Sequence, residues 1–344
     1  MQKYDLVISL GSVCPVADAL KRLKITEKTY PFDWSDCDGD ASEKLLKKCN
    51  LIKNHFENAF IFEDFSEGFS INQNMRGVIN KKTGVHYGHY FPWNKSMKDF
   101  FPEFVEKCQR RIKRLYDDVE KATNILFIYQ DMTKALPLAA AKEAINILKQ
   151  VFPQKNINLL VFLPVLQEKN TGPQEIKSNV DNLFVIMHSA CNEYSEWLSF
   201  LMDTIRRFLN INYYSFSNDR NIISYMLGDI ESFGRWSISD IVFFRLQTNS
   251  KQEKVSVNMN VVPFVNEFRK IQKCKIWCNR HEIKEMIFDT PNKQELTMVV
   301  PNDNDGNLDF IFEFDNPVSP KDLGVSADVR RLALGFIDAT ISNE

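Results

Sequence analysis

Short, fully apolar segments alternate with amphipathic helices through the first part of this 344-residue chain. The predicted strands are Leu6–Leu10, Ile125–Tyr129, Asn158–Leu163 and Leu183–Met187. A strand without alternating polar residues is buried on both faces, as in a parallel sheet covered by helices. The pattern predicts an α/β domain over residues 1–210, with a three-layer, Rossmann-like arrangement and a mostly parallel sheet.

The pattern changes after residue 210. Residues 211–237 break the alternation of strands and helices, with Asn218-Asp219-Arg220-Asn221 and then Gly228 to Trp236, and are predicted to be a linker region. Residues 238–344 contain short β-like segments in series, separated by turn residues. This spacing predicts a β-rich, β-sandwich-like C-terminal domain.

Cys14 lies where the first predicted strand gives way to a helix. Gly11 and Ser12 end the apolar run, and the helical spacing of apolar residues starts at Val13. A helix N-terminus carries unpaired N–H groups and a partial positive charge, which stabilise an anion. A thiolate at such a position is a candidate nucleophile. The alternative is a small buried cysteine that only fills space.

Further candidate residues come from aromatic-rich segments. Asp33 lies between Phe32 and Trp34, and a carboxylate among aromatic rings needs hydrogen-bond donors or a cation. His86 and His89 belong to a dense aromatic run, where a histidine is either catalytic or packed and hydrogen-bonded. His188 follows a predicted strand, at the edge of a sheet where active sites collect.

The sequence predicts no metal site and no cofactor. The two common glycine-rich nucleotide-binding signatures are absent. The aspartates 36, 38 and 40 do not form an EF-hand, because Ala41 and Lys47 stand where glycine and glutamate are required. Asp40 and Glu43 instead predict a helix-capping box. Cys274, Cys278 and His281 lack a fourth zinc ligand nearby.

Composition narrows the classes of partner. A formal net charge of −2 gives no basic excess for binding nucleic acid. No apolar run reaches the roughly 20 residues of a transmembrane helix, and the N-terminus does not resemble a signal peptide. Seven irregularly spaced cysteines do not form a disulfide framework. We expect a cytoplasmic protein with a small-molecule, peptide or glycan substrate; the oligomeric state stays open.

The segment ISLGSVC, followed by A-x-x-L and then YPFDW, resembles a bacterial family of papain-like cysteine peptidases. The resemblance covers about residues 1–208 and continues through His89 and the arginine-rich helix 101–122. In that family the strand after this helix tends to end in arginine, whereas here it ends Tyr129-Gln130-Asp131. A second, shorter resemblance links 316–324 and 330–332 to tails of β-domains on enzymes of bacterial surface-polysaccharide clusters.

The first functional hypothesis is a cysteine-dependent hydrolase or acyl transferase. Cys14 would attack an acyl carbon, His89 would take and return its proton, and Asp33 would orient the imidazole. Backbone N–H groups of residues 11–13, or of the helix start, would hold the oxyanion. Ser12 is the alternative nucleophile. The residues predicted to line the substrate site are Gly11, Trp34, His86 and His188.

The second hypothesis is a glycan-binding or sugar-transferring protein of polysaccharide assembly without thiol catalysis. Trp236 and Trp277 could stack on sugar rings, although core packing is the simpler expectation for both. A sugar-nucleotide transferase would use Asp36 and Asp38 to hold a metal. A third hypothesis is a scaffold that keeps the fold and has lost its chemistry.

Overall fold

The structure, a computed structural model, describes residues 4–12, 14–70, 74–131, 137–165, 174–177, 180–189, 194–209, 212–217, 222–303 and 306–343. Its contacts divide the chain into two compact units, Met1–Leu201 and Met202–Glu344. Each unit contains its own cluster of buried apolar side chains. None of the described helices is long and apolar enough to cross a membrane.

The first part of the chain is a mixture of helices and strands. In chain order the elements are β1 (Leu6–Ser9), α1 (Pro15–Arg22), β2 (Ser35–Cys37), α2 (Ala41–Lys53), β3 (Phe65–Ser70), β4 (Met75–Asn80), β5 (Val85–Pro92), α3 (Met97–Lys121), β6 (Asn124–Gln130), α4 (Leu138–Val151), β7 (Asn156–Val165), β8 (Gln174–Lys177), β9 (Leu183–Ser189) and α5 (Tyr194–Leu209).

The main sheet has the order β1-β6-β7-β9-β8. The pairings β1–β6, β6–β7 and β7–β9 are parallel, and the edge strand β8 is antiparallel. The predicted α/β class is therefore confirmed as a mixed α/β structure whose main sheet is partly parallel. The Rossmann-like three-layer arrangement is not confirmed, because the parallel strands follow one another in one direction, without the reversal of a doubly wound sheet.

Burial explains why the apolar segments form this sheet. In β6, every residue from Ile125 to Gln130 is buried. Alternate residues of β6, such as Phe127, join one apolar cluster with α2 and α4, as does Leu45 of α2. The adjacent Leu126 and Ile128 point away from that cluster and are fully buried too. The absence of polar alternation thus reflects burial on both faces of the sheet.

A smaller antiparallel sheet, with the order β2-β5-β4-β3, is inserted between β1 and β6 in the chain. Phe104 of α3 packs against its aromatic residues, including Phe65 and Tyr87. Residues 59–61 lie outside the strands of this sheet. A 3-10 helix occupies Phe62–Asp64, because the Phe60 and Phe62 rings pack on α3 and their backbones have no ladder partner.

The second unit is all-β beyond the end of α5. Its strands are β10 (Tyr213–Ser215), β11 (Ser224–Tyr225), β12 (Arg235–Trp236), β13 (Ile241–Gln247), β14 (Lys254–Pro263), β15 (Gln272–Cys278), β16 (His281–Phe288), β17 (Gln294–Pro301), β18 (Asn307–Phe314) and β19 (Leu334–Asn343). The predicted all-β C-terminal region is confirmed. The segment 211–237, predicted as a linker, supplies the three short strands β10, β11 and β12.

Two sheets make up this unit. One has the order β10-β19-β14-β17, with β12 also paired to β19, and the other has the order β11-β13-β18-β15-β16. Phe336 of β19 contacts Phe244 of β13 and Phe312 of β18, with ring centroids 5.1 and 4.9 Å apart. These contacts join the inward faces of both sheets into one apolar core.

The turn between β1 and α1 requires a residue without a side chain. A Cβ atom on Gly11 would lie 2.9 Å from Cγ2 of Val16, in the first turn of α1. Val16 is itself fully buried, so moving its side chain would press on the residues packed around it. Gly11 therefore sets how closely α1 approaches the end of β1.

We expect Gly11→Ala to lower the free energy of unfolding by about 1–3 kcal/mol, the usual cost of overpacking a core. Urea unfolding measures this change. In the Val16→Ala background the same substitution should cost less, because the clashing methyl group is gone. Equal costs in both backgrounds would contradict the proposed clash.

Candidate active site

Cys14 caps the N-terminus of α1 and is half-buried. Its side chain makes no capping hydrogen bond, so the sulfur does not accept from the N–H groups of the helix N-terminus. Pro15 follows at the first helical position and brings no N–H group. The amides of Val16 and Ala17 belong to the first turn, where the helix itself offers no acceptors.

The other described cysteines are all buried. Burial raises the pKa of Cys37 to about 11, that of Cys49 and Cys108 to about 12, and that of Cys274 and Cys278 further still. Such thiols stay protonated at neutral pH. Among the described cysteines, Cys14 is thus the one with access to a substrate.

Tyr194, the first residue of α5, is a neighbour of Cys14 that the sequence did not reveal. Its hydroxyl group lies 3.7 Å from Sγ of Cys14 and 3.2 Å from Oδ2 of Asp18. Partial burial raises the pKa of Tyr194, and the adjacent Cys14 and Asp18 raise it further. The hydroxyl group therefore remains protonated. Because it has one hydrogen, it can donate a hydrogen bond to the sulfur or to the carboxylate, but not to both at once.

One local signal for this cluster was present in the sequence. Asp18 stands four residues after Cys14, a spacing that places both side chains on one helix face. Arg22, a further four residues on, forms an ion pair with Asp18 at 3.3 Å. Nothing comparable marks Tyr194, whose contact with Cys14 depends on the strand order of the main sheet.

The backbone amides predicted for an oxyanion hole are already engaged in part. The Gly11 N–H donates to Oγ of Ser9 at 3.2 Å, and the Ser12 N–H donates to the carbonyl of Gln130 at 2.9 Å. Val13 lies outside the described residues. The donors that remain from the sequence prediction are those of the helix start, at the first turn of α1.

Ser12 is buried and its hydroxyl donates to Oδ1 of Asp36 at 2.6 Å. Lys44 of α2 contacts the other oxygen of Asp36 at 2.9 Å and Oδ2 of Asp131 at 3.4 Å. Asp131 directly follows β6. A lysine placed between two carboxylates therefore joins the ends of β1 and β6 to α2.

The pKa values in this network follow from its contacts. Burial acts to raise the pKa of Asp36, but the hydrogen bonds from Ser12 and Lys44 outweigh it and lower the pKa. Burial acts to lower the pKa of Lys44, and the two aspartates reverse that effect and raise it. Asp36 and Lys44 are consequently both charged at neutral pH, and each stabilises the charge of the other.

Lys48, one turn further along α2, is completely buried. Its ammonium donates to the carbonyl oxygens of Gly11, Leu10 and Ser35 at 2.6, 3.3 and 3.4 Å. Burial lowers the pKa of Lys48. This one side chain ties the end of β1 to the start of β2.

Asp33 is buried and accepts a hydrogen bond from the Tyr30 N–H at 2.8 Å. Burial raises its pKa to about 6, although this amide and the positive charges of Lys21, Arg111 and Arg114 act in the opposite direction. The carboxylate therefore closes the turn that contains it. A carboxyl group with a pKa near neutrality is typical of functional sites.

The structure does not join the predicted Cys-His-Asp triad by hydrogen bonds. His89, on β5, is exposed and contacts Trp34 edge-on, with ring centroids 6.1 Å apart. Trp34 in turn lies 4.7 Å from Nζ of Lys21, in the last turn of α1. Within the described part of the chain, neither Cys14 nor Asp33 is hydrogen-bonded to His89. The triad stays a prediction.

The remaining predicted residues have separate surroundings. His86 pairs through Nε2 with Oδ1 of Asp38 at 2.6 Å. The backbone of His188 lies in β9 opposite Pro164, and its side chain is outside the description. Over the described ranges, no group of three or more His, Cys, Asp and Glu side chains could hold a metal ion.

We expect Lys44→Met to destabilise the protein by about 3 kcal/mol, because it leaves the buried carboxylate of Asp131 and that of Asp36 uncompensated. Thermal or urea unfolding measures the loss. Lys47→Met is the matched control, since the Lys47 ammonium donates to the backbone carbonyl of Asp38 and forms no ion pair with a described residue. Adding Asp36→Asn should recover part of the loss; full additivity would exclude the network.

Asp33 should make stability fall as pH rises. Its pKa is about 6 in the folded state and near 4 when unfolded, so between these values the folded state binds more protons. This group stabilises fully below pH 4, and about 3 kcal/mol is lost as pH rises through 6. Asp33→Asn should remove that slope from urea-unfolding data at pH 4–7, and an unchanged slope would contradict the assignment.

Comparison with known proteins gives one family match. Residues 5–166 match the model of the family described as "Putative papain-like cysteine peptidase (DUF1796)". An uncharacterised protein, R408 of Acanthamoeba polyphaga mimivirus, is 24% identical over 193 residues, which are 50% of this chain and 83% of that protein. This viral relative does not support the expected bacterial origin, and no match supports the polysaccharide-enzyme tail.

Solved structures give only distant likenesses. A GH115 4-O-methyl-α-glucuronidase has a TM-score of 0.26 at 8% identity, over 38% of this chain and 17% of that enzyme's length. A CBM36 carbohydrate-binding module, solved with calcium and xylotriose, has a TM-score of 0.26 at 11% identity, over 38% of this chain and 100% of the module. Likenesses this low carry no argument. The family match over residues 5–166 is the finding that bears on Cys14.

Proposed function

We propose that the first unit is a cysteine-dependent hydrolase or acyl transferase in which Cys14 is the nucleophile. The observation that carries the proposal is the half-buried Cys14 at the start of α1, directly after a parallel strand, while the other described thiols are buried. The family match over residues 5–166 supports the same chemistry. A small molecule or peptide with an acyl carbon is the substrate class that suits it.

In the proposed reaction the Cys14 thiolate attacks the acyl carbon and forms a thioester, and the alcohol or amine leaves. The amides of the first turn of α1 receive the negative charge that develops on the carbonyl oxygen. Water or a second acceptor then attacks the thioester and releases Cys14. Ser12 positions the turn through its bond to Asp36, which makes Cys14 the better nucleophile of the two.

Two further residues assist the thiol in this proposal. Tyr194 donates a hydrogen bond from its hydroxyl group to Sγ of Cys14, and this bond stabilises the thiolate. His89 takes the thiol proton of Cys14 and returns it to the leaving alcohol or amine, after its contact with Trp34 is released. Catalytic hydrogen bonds are often long before substrate binds, so the separation of His89 from Cys14 in the free protein is compatible with this role.

The proposal also includes the boundaries of two domains and the arrangement of helices around the main sheet. Residues 1–210 form the catalytic domain, with helices on both sides of the main sheet, and residues 238–344 form a β-sandwich. The sheet of the first unit then resembles those of hydrolases that place a nucleophile at the carboxyl end of a parallel strand. Gly11, Trp34, His86 and His188 are the proposed substrate-side residues, and the cytoplasm is the proposed location.

The alkylation rate of each cysteine by iodoacetamide, read by peptide mass spectrometry between pH 5 and 9, tests the proposal. Cys14 should react at least tenfold faster than the buried cysteines at pH 7. Tyr194→Phe should slow Cys14 by about fivefold, the equivalent of one lost hydrogen bond of about 1 kcal/mol. Tyr225→Phe, an exposed tyrosine of the second unit, is the matched control.

Hydrolysis of p-nitrophenyl acetate provides the activity readout. Cys14→Ala should abolish the thiol-dependent hydrolysis, and His89→Ala should lower its rate and change its pH profile. Hydrolysis that survives in Cys14→Ala, together with a Cys14 as slow to alkylate as Cys49, would exclude the cysteine mechanism.

A further inference from the structure

Two positive charges stand together on α3, beside strand β5. Lys107 and Arg111, one turn apart, both lie over the ring of Tyr90, with their charged groups 5.1 and 5.2 Å from the ring centroid. Arg111 also donates a hydrogen bond to the Tyr90 hydroxyl group. Like charges four residues apart repel each other and destabilise a helix. The helix itself therefore gains nothing from carrying cations at both positions.

Two further cations extend this group to α1. Arg114 of α3 donates to the backbone carbonyl of Thr29 at 2.6 Å, and Lys21 of α1 donates to the hydroxyl group of the same residue at 3.3 Å. Three of these cations also act on one buried carboxyl group, that of Asp33: burial raises its pKa, and the charges of Lys21, Arg111 and Arg114 oppose the rise. The shared partners define a cationic cluster, which consists of Lys21, Lys107, Arg111 and Arg114.

The cationic cluster has more positive charge than its surroundings balance. Within the described part of the chain none of its members forms an ion pair, whereas most acidic side chains of α1 and α3 are paired with other cations. These pairs are Asp18–Arg22, Asp118–Lys28, Glu103–Lys95, Glu106–Arg110 and Asp117–Lys113. At the two ends of α3, Asp99 follows Lys98 and Glu120 precedes Lys121. The loop after α1 adds the buried Asp33 and the exposed Glu27, and four cations against these two carboxylates leave an excess of two positive charges.

The cluster also has hydrogen-bond donors that the protein does not use. A guanidinium group carries its N–H groups on three nitrogens in a planar fork. Arg111 and Arg114 each make one hydrogen bond to the described residues, in both cases through Nη1. The Lys107 ammonium makes none to the described residues, since its contact is with a ring face. All four side chains of the cluster are half-buried, so their remaining N–H groups are open to an anion.

The size and charge of the cluster favour a single phosphate group. From Lys107 to Arg114 the helix rises about 10 Å, and the cations Arg110 and Lys113 between them are neutralised by carboxylates one turn away. A nucleic-acid backbone requires a longer basic surface than this. A carboxylate brings one negative charge, whereas a phosphate monoester brings about 1.5 to 2 at pH 7, together with three acceptor oxygens. The excess of two positive charges therefore matches a phosphate group.

The cluster lies on the same side of α1 as the candidate nucleophile. Lys21 follows Cys14 by seven residues, so the two share one face of the helix and are about 10 Å apart along its axis. Asp18 stands between them on that face, and its charge is balanced by Arg22. No uncompensated carboxylate of α1 therefore separates the cluster from Cys14.

We propose that the cationic cluster binds the phosphate group of a phosphorylated ligand. Its oxygens accept from the remaining N–H groups of Arg111 and Arg114 and from the ammonium groups of Lys21 and Lys107. The proposal goes beyond the proposed function, because a phosphate site at this position does not require Cys14 to be a nucleophile.

Isothermal titration calorimetry of the full chain with inorganic pyrophosphate tests the site. Pyrophosphate should bind at low ionic strength, and malonate, a dicarboxylate, should bind at least tenfold more weakly. Arg111→Gln and Lys107→Gln should each weaken the binding of pyrophosphate at least tenfold. Arg110→Gln is the matched control, since it removes the same charge from the same helix but from an existing ion pair, and it should change the binding less than twofold.

The proposal is overturned if pyrophosphate does not bind, or if malonate binds as tightly. It is also overturned if Arg110→Gln weakens binding as much as Arg111→Gln, because the charge of the whole helix would then be responsible. Lys107→Gln guards against a folding defect: without ligand its midpoint of thermal unfolding should equal or exceed that of the wild type, since a repulsion is removed. The rise in midpoint that pyrophosphate gives the wild type should be absent in this variant.

The phosphate group can belong to a substrate or to a separate anion, and a matched pair of esters distinguishes the two sources. 6-O-acetylglucose 1-phosphate carries its ester and its phosphate at opposite ends of one sugar ring, and 6-O-acetylglucose lacks the phosphate. A KM for hydrolysis at least tenfold lower for the phosphorylated ester, with the difference lost in Arg111→Gln, supports a phosphate site for substrate. Equal KM values together with pyrophosphate binding support a site for a separate anion. If neither ester is hydrolysed but pyrophosphate binds, the proposed function fails and the phosphate site stands.

Discussion

The buried ammonium of Lys48 is the interaction on which the arrangement around Cys14 depends. A strand that ends inside a protein leaves carbonyl oxygens without ladder partners, and each must be satisfied. Lys48 satisfies two of them at the end of β1 and one at the start of β2. Three carbonyl oxygens accept its N–H groups, so the buried nitrogen is not left without hydrogen bonds. Lys48 consequently holds the backbone of Leu10 and Gly11, shortly before Cys14, against α2.

A second layer of polar contacts stands next to Lys48 on the same helix. Lys44 is held between Asp36 and Asp131, and Asp36 receives the hydroxyl of Ser12. Lys44 thus balances the carboxylate of Asp131 at the end of β6 and that of Asp36 on β2, and holds both strand ends against α2.

Much of the fold could be predicted because burial leaves a direct trace in the sequence. The residues of β6 are apolar on both faces, and the seam between β1 and α1 was visible from the change of periodicity at Ser12. The edge strand β8 was missed, since Gln174–Lys177 has no apolar run. For the site, the position of Cys14 was predictable from local pattern, whereas its contact with Tyr194 joins residues 180 positions apart. The hydrogen bond to Asp33 comes from the backbone N–H of Tyr30. Choosing residues by their suitability for a triad gives no information about such a backbone contact.

The strand order also has a consequence for how the protein is made. β1 pairs with β6, so Leu6 meets Ile125, and the whole of the small antiparallel sheet lies between them in the chain. Contacts this distant in sequence form slowly, because the chain loses the entropy of a long loop before the contacts contribute any stabilising free energy. During synthesis β1 has no place in the main sheet until β6 has left the ribosome. The surroundings of Cys14 are therefore completed late. Until β6 has been synthesised, Cys14 follows a strand, β1, that is still unpaired.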